Sequence, residues 1–254
     1  MQRHIVGLSG GKDSTALALR LRELNPDVAY EYIYNETGDE LPEMAAHIDR
    51  LGCLLGTDIR RVRLERAGAP VGLNELIELQ GCLPSHRIRY CTRMLKIQPT
   101  IAYIKGIRLG GDTPVLYVGL RADEETRAGI YGADVQSVFP FREWGWGLPQ
   151  VWGYLHQRGV KVPRRTDCAR CYAQRIDEWW RLWKEHPEIY ATAVAQETVT
   201  GHTFRKPNHD TWPVPLAALA LEFERGRVPK AVTDAQVGLF GDMADEGACR
   251  VCRL

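Results

Sequence analysis

The sequence feature that most constrains the fold is a polar, glycine-rich turn close to the N-terminus. Residues 4–8 are apolar, residues 9–14 read SGGKDS, and residues 14–24 place apolar side chains at helical spacing. This order predicts a strand, a tight loop and a helix. Backbone N–H groups and the positive end of the helix dipole then converge on one point, which favours the binding of a phosphate group.

Strands and helices continue to alternate after this unit. β-Branched, aromatic or alternating segments predict strands at 28–34, 58–64, 115–120 and 136–139, and helical spacing predicts helices at 39–51 and 96–107. The alternation predicts an α/β fold with a doubly wound, mainly parallel, five-stranded sheet. Beyond residue 149 the strand signals fade, so we predict an α/β domain at 1–148 and a helical, cysteine-bearing region at 149–254 packed on it.

Composition excludes several classes of protein. Hydrophobic residues make up 44% of the 254 residues and charged residues 26%, values that are typical of a globular protein. No apolar stretch reaches the roughly 18 residues of a membrane helix, and the N-terminus has no apolar signal core. We therefore expect a cytoplasmic protein that does not bind a membrane.

The net charge of only +1 conceals two basic segments. Residues 79–111 contain six Lys or Arg and no acid, and residues 142–175 contain seven Lys or Arg and two acids. A solvated surface accounts for one such segment. Two segments that flank a phosphate-binding turn favour an anionic substrate such as a nucleic acid.

The seven cysteines include two C-x-x-C pairs, Cys168/Cys171 and Cys249/Cys252. A chain without a secretion signal keeps cysteines as thiols more often than as disulfides. A gap of two residues lets both thiolates of one turn face the same ion. The pairs therefore indicate a metal ion, a cluster or redox chemistry.

The SGGKDS turn resembles the PP-loop of the ATP pyrophosphatases, which cleave ATP between its α- and β-phosphates and transfer AMP to an oxygen of the substrate. The resemblance implies ATP and Mg²⁺ as ligands. It also implies that Lys12 and the loop amides hold pyrophosphate and that Asp13 places Mg²⁺, with helix capping as the alternative role of Asp13. The expected ATP-binding residues of the loop are Ser9, Gly10, Gly11, Lys12, Asp13 and Ser14.

Four later segments resemble the phosphoadenosine-phosphosulfate (PAPS) reductase-like branch of PP-loop proteins. They read ETG at 36–38, RYCTRMLKIQP at 89–99, GLRADE at 119–124, and a Pro- and Trp-containing passage at 140–154. The resemblance implies that Thr37 and Gly119 bind the nucleotide and that Arg121 clamps a phosphate and takes part in catalysis. It places an anionic substrate on Arg87, Arg89, Arg93 and Lys96.

The iron–sulfur members of this family hold a cluster through positions that correspond to Cys91, Cys168 and Cys171. Their usual Cys-Cys pair is absent, because Tyr90 precedes Cys91. The resemblance implies a 4Fe-4S cluster whose fourth ligand is a tail cysteine, with Cys249 as the first choice, or Cys82. The alternatives are a structural zinc ion on the two C-x-x-C pairs and a redox-active or sulfur-carrying pair at Cys249 and Cys252.

The full set of motifs resembles the ATP pyrophosphatases of DNA phosphorothioation systems. This predicts adenylation for sulfur incorporation into DNA, together with partner proteins of a sulfur-transfer system, and tRNA thiolation is the second choice. Two rivals remain. One is PAPS or adenylyl sulfate reduction, with Cys252 or Cys249 as the nucleophile, and the other is a non-catalytic partner that senses a nucleotide.

Overall fold

A five-stranded parallel sheet forms the centre of the computed structural model, which describes residues 1–127, 135–207 and 210–232. The strands are β1 (Gln2–Leu8), β2 (Tyr30–Asn35), β3 (Arg60–Val62), β4 (Leu64–Arg66), β5 (Ala69–Val71), β6 (Thr113–Tyr117) and β7 (Gln136–Val138). The sheet order is β3-β2-β1-β6-β7, and all four strand pairings are parallel. A separate hairpin pairs β4 with β5.

Helices connect the strands and continue after them. Among the described residues, no helix is long and apolar enough to cross a bilayer. The α-helices are α1 (Lys12–Leu24), α2 (Pro42–Leu55), α3 (Leu73–Gln80), α4 (Gln98–Leu109), α5 (Pro140–Glu143), α6 (Leu148–Gln157), α7 (Ile176–Glu185), α8 (Pro187–Thr200) and α9 (Leu216–Glu224).

The sheet is covered on both faces, as the predicted doubly wound α/β fold requires. On one face α1, α2 and α6 pack on alternate residues of β1 and β2, including Val6 and Tyr32. On the other face α4 packs on Ile5, Ile33 and Leu116. Because neighbouring side chains of a strand point to opposite faces, Ile5 and Val6 belong to different cores. The fold class predicted from the sequence is therefore confirmed.

The strand order places an open crevice at the carboxyl end of β1. The chain passes from β1 to β2 and β3 on one side, and later to β6 and β7 on the other. Connections on the two sides of β1 diverge at this point, which is where open α/β sheets bind their ligands. The SGGKDS turn follows β1 directly and leads into α1, so it lies at this crevice.

The described part of the region after residue 148 has helices and no strands, as the sequence predicts, but it shares its cores with earlier elements. Helix α6 packs in the core that contains α1 and β1. Helices α7, α8 and α9 form a further core with α3 and with Leu83, Tyr90 and Leu95, and we call it the third core. The hairpin β4-β5 and helix α3 are additional to the predicted elements. The division into 1–148 and 149–254 stays a prediction.

A buried ion pair joins the loop after β2 to the first C-x-x-C turn. The Asp39 carboxylate accepts hydrogen bonds from Arg170 Nε at 2.6 Å and from the Arg170 backbone N–H at 2.9 Å. Arg170 Nη1 donates to Asn74 on α3 and to Gln196 on α8, each at 2.8 Å. Both charged side chains are at least 95% buried. This single guanidinium therefore connects the sheet edge with two helices of the third core.

Loss of this ion pair should destabilise the protein strongly. We expect Arg170→Met to lower the free energy of unfolding by about 3–5 kcal/mol, because the Asp39 carboxylate would stay buried without its cation. The matched control is Arg158→Met, which removes a half-exposed pair with Glu23 and should cost less than about 1 kcal/mol. Urea unfolding of the three proteins measures both values. Equal costs for the two variants would contradict this role of Arg170.

Candidate functional site

The SGGKDS turn is held in shape by its own hydroxyl groups. Ser14 Oγ accepts a hydrogen bond from the Ser9 N–H at 3.1 Å and donates to the Gly11 carbonyl oxygen at 3.2 Å. Gly10 has a φ of +74°, and a Cβ there would lie 2.4 Å from Sδ of Met44 on α2. The backbone conformation therefore favours glycine at this position, and a Cβ would also displace the end of the Met44 side chain.

An ionic cluster lies at the start of α1. Lys12 is fully buried, and its Nζ is 3.4 Å from Asp13 Oδ2. Arg121 Nη1 donates to both carboxylate oxygens of Asp13 at 3.1 Å, and Arg121 Nε donates to Asp123 at 2.9 Å. A Cβ on Gly119 would lie 3.3 Å from the Asp13 backbone. Arg121 thus holds the loop through Asp13, and its contact with phosphate stays a prediction.

His47, to which the sequence analysis gives no role, supports the loop from α2. Its Nε2 is 3.3 Å from the hydroxyl of Thr15, and its ring also hydrogen bonds with the backbone of Gly10. The side chain is buried, and this burial lowers the pKa of His47 to about 4, with a further contribution from Arg50. The imidazole is therefore neutral at physiological pH.

A cleft of about 170 Å³ opens at the carboxyl ends of β1, β2 and β6, and we call it the sheet-edge cleft. Three residues of the predicted loop, together with Thr37 and Gly119, line it. Its other polar lining residues come from the carboxyl end of β2 and from segments later in the chain. They are Tyr34, Asn35, Glu40, Lys96, Thr100, Arg127, Thr166, Asp167 and Cys168.

A second, smaller cavity brings together three cysteines that are distant in the sequence, and we call it the cysteine cavity. Cys91, Cys168 and Cys171 all line it. Four residues line both this cavity and the sheet-edge cleft, and we call them the neck: Thr37, Lys96, Asp167 and Cys168. Thr37 Oγ1 and Cys168 Sγ are 3.4 Å apart. The predicted phosphate loop and the predicted cluster ligands therefore face adjoining spaces.

A widened helical turn brings Cys91 and Lys96 to these spaces. Pro99 has no amide hydrogen with which to continue an α-helical pattern. The chain forms a π-helical turn at Thr92–Ile97 instead, in which the Gln98 N–H donates to the Arg93 carbonyl oxygen five residues earlier. Such turns often occur at functional sites. Cys91 precedes the turn, and Lys96 lies in its last part.

The buried environment of the first C-x-x-C pair opposes the ionisation of both of its thiols. Burial raises the pKa of Cys168 to about 12, although the positive charge of Lys96 opposes the rise. Burial, with the nearby charge of Asp167, raises the pKa of Cys171 well above its ordinary value. Since the thiolate is the form that binds metals, a bound cation must displace these protons.

Three of the four predicted anion-binding residues are exposed near the cysteine cavity. Arg87, Arg89 and Arg93 are on the surface, whereas Lys96 is half-buried in the neck. Arg89 hydrogen bonds with Tyr172, which lines the cysteine cavity and contacts the ring of His86 at 4.9 Å between centroids. Burial and the positive charges of Lys206 and Arg89 lower the pKa of His86. Lys206, which sequence analysis did not select, extends this basic surface.

Among the described residues, no group of three or more His, Cys, Asp or Glu side chains is close enough to hold a single metal ion. Cys82 is half-buried against the third core, beside Tyr90, whose hydroxyl donates to the Cys82 carbonyl oxygen at 2.7 Å. The other fourth-ligand candidates, Cys249 and Cys252, lie outside the described residues. Their predicted roles as ligand, carrier or nucleophile stay predictions.

Two neck or cleft residues were also missed by sequence analysis. Asn35 ends β2 and exchanges hydrogen bonds with the Thr100 hydroxyl at 2.9 and 3.1 Å. Asp167 directly precedes Cys168 and lines both cavities. The sequence did carry a signal for Asn35, because this residue directly follows the predicted strand at 28–34 and therefore lies at the sheet edge where ligands bind. Glu36, by contrast, forms ion pairs with Arg61 and Arg63.

Residues 3–164 match the family model described as the phosphoadenosine phosphosulfate reductase domain. No curated protein matches the sequence significantly. The structure is similar to the phosphate complex of phosphoadenylyl-sulfate reductase from Candida auris, with 14% identity, a TM-score of 0.48, and coverage of 63% of this chain and 74% of that one.

A second solved structure is similar over more of the chain. It is the U34-tRNA thiolase NcsA from Methanococcus maripaludis with its [4Fe-4S] cluster. The two sequences are 17% identical, the TM-score is 0.47, and the alignment covers 86% of this chain and 80% of that one.

The buried His47 should make stability fall in mild acid. Its pKa is lowered to about 4 in the folded state, so the unfolded chain takes up a proton first as the pH falls below about 6.5. We expect His47 to account for a loss of about 2 kcal/mol of unfolding free energy between pH 7 and pH 5. Chemical unfolding of wild type and His47→Gln at both pH values measures this contribution. The exposed His156→Gln variant should keep the wild-type pH dependence, and a His47→Gln variant that also kept it would contradict the assignment.

Proposed function

The chain belongs to the phosphoadenosine phosphosulfate reductase domain family, and from this premise we propose that it is an ATP pyrophosphatase. It cleaves ATP to AMP and pyrophosphate and adenylates an acceptor for sulfur incorporation into nucleic acid. The preferred acceptor is DNA, as in phosphorothioation, and the alternative acceptor is tRNA.

One observation carries the proposal: the sheet-edge cleft and the cysteine cavity share the four residues of the neck. Three residues of the PP-loop sequence line the cleft on one side of the neck, Cys168 belongs to the neck itself, and Cys91 and Cys171 line the cysteine cavity on the other side. An acceptor that is activated in the cleft would then be next to a sulfur chemistry site. Proximity of this kind lets two steps act on the same bound group.

The first step is a nucleotidyl transfer. An acceptor oxygen attacks the α-phosphorus of ATP, an O–P bond forms, and the bond between the α-phosphorus and the bridging oxygen breaks so that pyrophosphate leaves. The loop at residues 9–14, the N-terminus of α1 and Lys12 would neutralise the charge that develops on the leaving group. Arg121 would keep Asp13 and the loop in place.

In the second step a sulfur nucleophile replaces the adenylated oxygen and AMP leaves. The donor set of the cysteine cavity fits an iron–sulfur cluster, because three thiols line it at the positions that the family resemblance assigns to cluster ligands. Cys91, Cys168 and Cys171 would hold the cluster, with a fourth ligand from Cys249, Cys252 or Cys82. When bound, the cluster would supply an iron that binds inorganic sulfide.

The surface next to the cysteine cavity supports an anionic acceptor. Arg87, Arg89, Arg93 and Lys206 are exposed there, and segment 79–111 contains no acid. Lys and Arg at such a surface bind the phosphates of nucleic acids without regard to sequence. This charge pattern favours nucleic acid over a neutral acceptor and does not distinguish DNA from RNA.

Sulfonucleotide reduction is the second candidate, because the matching family model is named for it. That reaction would use a sulfonucleotide in the sheet-edge cleft and a tail cysteine as nucleophile, and it would release sulfite. Incubation of the protein with PAPS or adenylyl sulfate and a dithiol, followed by a sulfite assay, separates the two functions.

The two steps should respond differently to two substitutions. We expect Lys12→Met to lower pyrophosphate release from ATP by about 10²–10³-fold, since it removes a cation from the leaving group. Cys91→Ser should abolish sulfur transfer and lower bound iron while pyrophosphate release stays within about twofold. The measurements are AMP and pyrophosphate formed from ATP, iron content, and ³⁵S incorporated into DNA and tRNA.

The control for this experiment is Cys53→Ser, which changes an exposed cysteine that lies outside both cavities. It should match wild type in every assay. Sulfite formation without pyrophosphate release from ATP would replace the proposal by sulfonucleotide reduction. Tight ATP binding without any pyrophosphate release would instead favour a nucleotide-sensing partner.

A further inference from the structure

Asp167 in the neck has a buried carboxylate oxygen that receives no hydrogen bond from the described part of the protein. The residue is only 8% exposed, and it lines both the sheet-edge cleft and the cysteine cavity. Its Oδ1 is completely buried and accepts no hydrogen bond from any residue in the described part of the chain. Burying a carboxylate oxygen without a partner is costly, so a bound group that compensates it would be favoured.

The other carboxylates that line the cleft are already engaged. Both oxygens of Asp13 accept hydrogen bonds from Arg121, and Lys12 lies 3.4 Å from one of them. Glu40 Oε1 accepts hydrogen bonds from the backbone N–H of Thr37 at 2.6 Å and from its hydroxyl at 2.7 Å. Of the three carboxylates that the structure places on this cleft, Asp167 is therefore the one that has a buried oxygen without a hydrogen-bond donor among the described residues.

Charge decides which ligand suits this oxygen. A triphosphate in the cleft would bring several negative charges close to Asp167, and a carboxylate facing them would repel the nucleotide unless a cation lay between. Lys96 and Arg127 also line the cleft, but neither hydrogen bonds with Asp167 Oδ1. Mg²⁺ commonly binds proteins through one or two carboxylates, with the remaining ligands from phosphate oxygens and water.

We propose that Asp167 is a direct ligand of the Mg²⁺ ion that accompanies ATP in the sheet-edge cleft, an inference that rests on the proposed function. Because Asp167 is a neck residue, the ion that it would hold lies at the neck. Asp13, which the sequence suggested for this task, then serves to hold the loop through Arg121. The same ion ties the nucleotide to the segment that carries Cys168.

Asp167→Asn should weaken nucleotide binding when Mg²⁺ is present but not when divalent cations are absent. Asparagine keeps the size of the side chain and removes its charge. With Mg²⁺, the variant should bind α,β-methylene-ATP at least about tenfold more weakly than wild type, because a metal ligand is lost. With EDTA and no divalent cation, it should bind the same analogue as tightly as wild type or more tightly, because a repulsive charge is gone. Isothermal titration calorimetry measures all four affinities.

A second readout observes the metal directly. Mn²⁺ replaces Mg²⁺, and its EPR signal should report one bound ion per chain in the presence of the analogue for wild type and a loss of this ion for Asp167→Asn. The control Asp177→Asn removes another buried carboxylate, one that pairs with Arg175 away from both cavities, and should keep the wild-type values. If Asp167→Asn fails to fold, Asp167→Ser is measured in the same way.

The outcomes separate this inference from the function on which it rests. Equal weakening of analogue binding with Mg²⁺ and with EDTA would show that Asp167 contacts the nucleotide and not the metal, and would overturn the inference alone. Unchanged affinities and Mn²⁺ binding in Asp167→Asn would overturn it as well. A wild-type protein that binds no ATP analogue under either condition would overturn the proposed function together with it.

Discussion

The arrangement of the site depends on the buried ion pair between Asp39 and Arg170. Its guanidinium contacts the loop after β2, helix α3 and helix α8, while its backbone lies between the two cysteines of the C-x-x-C turn. A charge pair of this kind tolerates few alternative arrangements, because any displacement leaves a charge buried without its partner. The pair therefore fixes the position of Cys168 and Cys171 relative to the sheet edge.

The PP-loop side of the site depends on backbone geometry instead. A Cβ on Gly10 would overlap the end of the Met44 side chain, and a Cβ on Gly119 would lie only 3.3 Å from the Asp13 backbone. His47 contacts the loop from behind, and Arg121 holds its only acidic residue. The loop is thus supported on several sides before any ligand binds. Preorganised donors of this kind stabilise a leaving group without a reorganisation cost during the reaction.

Much of the fold could be predicted because it follows from local periodicity. The strand, loop and helix order, the parallel sheet and the helical character after residue 148 all depend on patterns within ten to fifteen residues. The hairpin β4-β5 and helix α3 were missed because they are short: each strand of the hairpin has three residues and the helix has eight. Short strands provide little periodicity to detect.

The site could be predicted only where a motif carries it. The loop and the convergence of Cys91 with the first C-x-x-C pair were accessible through the family resemblance. The tasks of His47, Arg121 and Asp167 were not, because they depend on which polar groups become buried together in the folded chain. A lone histidine or aspartate in a sequence does not reveal its tertiary partners.

The central claim is that the turn at residues 9–14 binds the triphosphate of ATP, while the bond between the α-phosphorus and the bridging oxygen faces the neck. A crystal structure of the protein with α,β-methylene-ATP and Mg²⁺ tests it most directly. The account predicts the β- and γ-phosphates on the backbone amides of this turn and the α-phosphate towards Thr37 and Asp167. A nucleotide bound elsewhere, with the turn empty, would contradict it.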